Sequence, residues 1–255
     1  MRKILQETAH LFMSPPFDPK SRALLYLLKK REDLIVDALS RVVQNLEVNS
    51  IPKKEFPVDS EALRSWNLSL KNHKYFGGSG GLKTKKQRGR VDLACLDSKS
   101  NPTMLVEVKA WSATDAVDES RYLESKQYNH SLLKSFEIDA LKLCAVNSDG
   151  KAKLLIITAL FTIHCDNMSE SQMKQMKLKY IDLLKKQNRD KVGIGNSDAY
   201  RIAGVERMMH QFETKFGRGT EMNAKFMHVP VFSRDEAFLG SVGLSLDLIG
   251  AELNP

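Results

Sequence analysis

The chain has 255 residues, 42% of them hydrophobic and 27% charged, and a formal net charge of +8. That length suffices for one large domain or two small ones with a substantial core, and the composition is that of an ordinary soluble protein. The longest apolar run, LLIITALFTI at residues 154–163, is half the roughly 20 residues a membrane-spanning helix needs, so no membrane partner is expected and the run reads as a central strand.

The opening MRKILQETAHLFM starts with basic residues but interrupts its apolar stretch with Gln6, Glu7 and His10. It lacks the continuous core of a signal peptide, and a cytoplasmic location is expected. The three cysteines, Cys95, Cys144 and Cys165, are odd in number and sit in apolar segments, which suits reduced core thiols and makes no metal-ligand pattern.

Prolines at 15, 16 and 19 delay the first long helix to about Ser21. From there to Val48, Leu24, Leu28, Ile35, Leu39, Val42 and Leu46 recur at helical spacing, the mark of an amphipathic helix. Asp33 and Asp37 fall on its opposite face, whereas Glu32, four residues after Leu28, lies inside the apolar stripe. Residues 50–59, SIPKKEFPVD, read as an edge strand or extended stretch because prolines cannot donate to a ladder. A short polar helix is expected over 60–70.

Residues 71–90 then carry seven basic side chains and no acid: Lys71, Lys74, Lys83, Lys85, Lys86, Arg88 and Arg90. The remainder of the chain is nearly balanced, so this Gly-rich segment is a candidate phosphate-backbone contact for nucleic acid. Its GGSGG is not followed by the Gly-Lys-Ser/Thr of a phosphate-binding loop.

Two strands are expected at 90–97 and 103–111, joined by a turn over 98–102. A helix from about Val117 to Phe136 leads to a strand over 153–164, the order of a crossover within one sheet. Helices at 169–188 and 199–216 and further strands in the last 35 residues complete an α/β chain. With no repeat and no linker, the simplest division is a single domain over 1–255.

The strand MLVEVKAW (104–111) ought to be buried, yet carries Glu107 and Lys109. Alternation puts these two on one face and Val106, Val108 and Ala110 on the other. If the two strands form a simple hairpin, Asp92 pairs directly with Glu107, with Cβ atoms roughly 4.5 to 5.5 Å apart. Carboxylates so close in a poorly hydrated site need a shared proton or a cation. Hard oxygens without Cys or His favour Mg²⁺ or Mn²⁺. Lys109 beside them is suited to orienting or deprotonating a water, or to stabilising charge at a phosphorus under attack.

Asp92 followed by Glu107-Val108-Lys109 resembles the PD-(D/E)XK nuclease superfamily, which includes restriction endonucleases, Holliday-junction resolvases and recombination exonucleases. Over residues 21–163 the resemblance implies a restriction-endonuclease-like three-layer core: a mixed central sheet flanked by helices, with 164–255 as a C-terminal elaboration of helices and strands. It implies that Asp92, Glu107 and the Val108 carbonyl bind Mg²⁺, with Mn²⁺ as substitute, and that Lys109 assists the attacking water. Glu32 matches the Glu that many members carry on a helix before the first core strand, and Gln127 is the nearest candidate for a Gln on the following helix. Val91 stands where the family's Pro would be. The expectation is a metal-dependent nuclease, most consistent with an endonuclease on double-stranded DNA, acting as a homodimer or as a subunit of a larger complex. The alternative is a non-catalytic nucleic-acid-binding or protein-interaction subunit of a defence or transposition complex on the same fold.

Overall fold

The hydrophobic segments assemble as one mixed sheet, in a computed structural model that describes residues 1–14, 31–46, 50–72, 89–112, 126–164, 197–220, 222–233, 238–239 and 242–254. Helix α1 (Arg2–Met13) and helix α2 (Arg31–Leu46) precede strand β1 (Ile51–Pro57). Helix α3 (Ser60–Asn72) leads to β2 (Arg90–Leu96) and β3 (Pro102–Ser112), and α4 (Lys126–Val146) crosses to β4 (Lys153–His164). Helix α5 (Ser197–Phe216) and strands β5 (Ala224–Phe232), β6 (Phe238–Leu239) and β7 (Val242–Leu253) follow. The sheet order is β1-β2-β3-β4-β7-β5, with β6 paired to β7. Among the described strands only β3 and β4 run parallel, and α4 is the crossover helix that such a pair requires.

Strand alternation divides the core between two faces. Val106, Val108, Leu155, Ile157, Phe161, Leu246 and Leu248 pack under α1 and α2. Leu105, Leu154, Ile156, Leu160, Ile249 and Ala251 face the other way, onto Phe136 and Leu143 of α4 and Met208 and Phe212 of α5. The protein is thus an α/β fold with helices on both faces of a mixed sheet.

Most elements fall where the residue pattern places them, with β1 an edge strand as its prolines require. Two differ. Residues 2–13 form a helix: Gln6, Glu7 and His10 occupy its exposed side, while Ile4, Leu5, Ala9 and Phe12 are buried. Helix α4 runs ten residues past the expected end at Phe136, to a stop built by Asn147 and Gly150. The early part of the helix expected from Ser21, the basic loop at 73–88, residues 113–125 and the helix expected at 169–188 lie outside the described residues. Cys95 and Cys144 are free thiols, and Cys165 is outside the described set. Among the described residues no helix is long and apolar enough to cross a membrane.

Candidate functional site

The turn between β2 and β3 sets their register. Asp97 accepts bonds from the Lys99 and Asn101 amides, each at 2.8 Å, and Ser100 takes a positive φ of 66°. Leu93, Ala94 and Cys95 then pair with Val106, Leu105 and Met104. This is the hairpin register that would set Asp92 opposite Glu107, but the ladder ends at Leu93 and Val106. Beyond that point, among the described residues, β3 continues against β4 alone, through Ser112.

The parting of β2 and β3 leaves amides on the β2 edge of β3 without a strand partner, and buried amides must find one. Two acids supply it. The Val108 N–H donates to Asp92 Oδ2 at 2.8 Å, and the Ala110 N–H donates to Glu32 Oε1 at 3.3 Å. Glu32 comes from the first turn of α2, so one acid from a strand and one from a helix reach the same edge. Opposite Asp92, Glu55 of β1 adopts a left-handed φ of 49° and pairs with Arg90.

Glu107 and Lys109 project from β3 toward α4, as alternation demands. Glu107 is 1% exposed, and its Oε1 meets Lys142 Nζ at 2.5 Å. Lys109 Nζ lies 3.1 Å from Asp139 Oδ2, itself almost fully buried. Both contacts are ion pairs whose acceptor oxygens lack hydrogen-bond geometry. Lys142 also donates to the Arg90 carbonyl at 3.1 Å and sits over the Trp66 ring.

Burial dominates the acidities here. It pushes the Glu107 carboxyl well above the usual range, and the Asp139 charge adds to the rise while Lys142 opposes it. Burial likewise raises Asp139 against the pull of Lys109 and Lys142. Glu32 is exposed as a residue, but its carboxyl end lies against the sheet; desolvation raises it, while Lys109 and the Ala110 amide oppose. For Lys109, desolvation alone would lower the pKa, but Asp139, Glu107 and Glu32 outweigh it and hold the ammonium above its ordinary value.

Asp92, Glu107, Val108, Lys109 and Glu32 are therefore gathered at one fork. Gln127 stands at the start of α4, twelve residues before Asp139 or about 18 Å of helix, and its side chain lies outside the described residues. Of the basic candidates, Lys74, Lys83, Lys85, Lys86 and Arg88 lie outside the described residues. Lys71 is in the last turn of α3, and Arg90 is exposed and paired with Glu55. Trp111 packs at the border of the second core.

Asp139 and Lys142 join the fork from beyond Phe136, where the sequence pattern ends this helix, and so escape a reading of the sequence alone. Carried to Asn147, the inward stripe of Phe136, Ala140 and Leu143 takes in both charges, a signal as strong as Glu107 in its strand.

Asp92 and Glu107 are carboxylates on neighbouring strands that feel each other's charge, with neither Cys nor His beside them, the donor chemistry that hard divalent cations prefer. Among the described residues no three acid, His or Cys side chains form a metal-holding group. The fit thus rests on two carboxylates, Asp92 and Glu107, with the Val108 carbonyl on the same strand as the amide that donates to Asp92. No family model matches the chain, and no characterised protein or solved structure matches it at a significant level.

Proposed function

We propose that the protein is a metal-dependent phosphodiesterase acting on nucleic acid, most consistent with a DNA endonuclease on a restriction-endonuclease-like fold. One observation carries this reading: the Asp92 carboxylate closes on the Val108 amide where β2 and β3 part, beside a buried Glu107 and the Lys109 that shares its face. Asp92, Glu107 and the Val108 carbonyl would hold Mg²⁺ or Mn²⁺. The ion supplies Lewis acidity toward the scissile phosphate and the attacking water.

The remaining roles belong to the chain. Lys109, held beside Asp139 with its pKa raised, is a cation placed to orient the attacking water and to face the charge that grows on the phosphate oxygens. Glu32 holds the free edge of β3 in place through the Ala110 amide. The basic segment from Lys71 to Arg90 feeds directly into β2 and would bring the nucleic-acid backbone to Asp92.

The internal pairing of Lys109 with Asp139 and of Glu107 with Lys142 is what favours the second reading, a nucleic-acid-binding or protein-interaction protein without catalysis. Supercoiled plasmid incubated with Mg²⁺, Mn²⁺ or EDTA separates the two. Metal-dependent nicking by the wild type that Asp92→Ala abolishes is expected. Binding without nicking in either metal would leave the non-catalytic reading standing.

A further inference from the structure

The reading of Asp92 and Glu107 as metal ligands leaves open how many ions they serve, and the side chains around them bear on that number. We propose that Lys142 takes the place of a second metal ion, so that the site holds a single divalent cation. The inference rests on the metal-site reading above.

Lys142 Nζ touches Glu107 Oε1 at 2.5 Å, the Arg90 carbonyl at 3.1 Å and the Trp66 ring at 5.8 Å from its centroid. An ammonium has three N–H donors and no acceptor; Lys142 gives one to the Arg90 carbonyl and sets its charge against the Glu107 carboxylate and the Trp66 ring. Its side chain is 9% exposed and Glu107's is 1%, so this is a buried, anchored charge and not a surface lysine passing by. The anchor also matters. Arg90 lies two residues before Asp92 on β2, so Lys142 ties the strand that carries one ligand to the side chain of the other.

Two-metal phosphodiesterase sites place their ions about 3.5 to 4 Å apart, as a clamp on the attacking and leaving oxygens. Here Oε1 of the buried carboxylate is already taken by a fixed positive charge. Formal charge points the same way. Glu32, Asp92, Glu107 and Asp139 face Lys109 and Lys142, an excess of two negative charges that one divalent ion cancels. A second ion would leave the buried site with uncompensated positive charge, which a low-dielectric interior opposes.

The test counts Mn²⁺ ions bound to the full chain by paramagnetic resonance and calorimetry, for the wild type, Lys142→Met and Asp92→Ala. One ion per wild-type chain, with no manganese–manganese coupling, is expected; in Lys142→Met the count should rise to two, with a coupled signal. Two coupled ions in the wild type would overturn the proposal, and so would a folded Lys142→Met whose count stays at one. The wild-type count needs no variant, so it tests the proposal even where Lys142→Met fails to fold. A wild type that binds no Mn²⁺, or an Asp92→Ala that binds it as well as the wild type, would instead overturn the metal-site reading on which the proposal stands.

Discussion

A carboxylate buried in a central strand costs stability unless something offsets its charge. For Glu107 that cost takes the form of a pKa raised by burial and by Asp139 despite Lys142. Its folded pKa lies above its unfolded one, so the folded chain binds the extra proton between the two values. Its contribution is therefore most favourable below the unfolded value and is lost as pH rises through the folded one. In EDTA, thermal unfolding from pH 5 to pH 8 should show Glu107→Gln gaining on the wild type as pH rises. Parallel curves for the two proteins would mean that Glu107 is not held at such a cost. A divalent ion bound only by the folded chain should raise wild-type stability most at the upper end of that range.

At the scale of elements, the fork and α4 build the site together. The crossover from α4 to β4 is fixed by Asn147, whose side chain donates to the Ala152 carbonyl and accepts from the Ala152 amide, both at 2.9 Å and both buried. Asn147→Ala leaves two buried backbone groups unpaired and should cost about 2 kcal/mol, measurable by urea unfolding. A loss within experimental error would show that the crossover is set by packing alone. The hairpin was legible in the residues: Leu93 to Val106, Ala94 to Leu105 and Cys95 to Met104 follow from the turn and the alternation. The parting at Asp92 was not, because no local pattern says where a ladder gives way to side-chain partners. The extent of α4 was hidden for a different reason. Asp139 and Lys142 sit in its buried stripe, and charges there blur the helical period that marks an inward face. In α1 the polar residues that interrupt the apolar stretch, Gln6, Glu7 and His10, are the ones that make its solvent face.

For the whole molecule, the later strands are part of the sheet that carries the site, since β7 lies between β4 and β5. Their attachment to α5 runs through Asp247, fully buried on β7, which accepts from Arg201 at 2.8 and 3.2 Å and meets His228 of β5 at 2.8 Å. Removing the guanidinium leaves that carboxylate undercompensated, so Arg201→Met should cost about 3 kcal/mol while leaving Mn²⁺ binding at the fork unchanged. On the other face, α1 packs so closely on β7 that a Cβ at Gly250 would come within 2.8 Å of Leu5 and Met1 side-chain atoms. Helices thus brace the sheet on both faces. Plasmid nicking and DNA retention, measured together on the wild type and a folded Lys109→Ala, test most directly whether the fork between β2 and β3 is a nuclease centre. The expected result is retention at wild-type strength with nicking reduced about a hundredfold or more; nicking by Lys109→Ala at the wild-type rate would contradict the assignment.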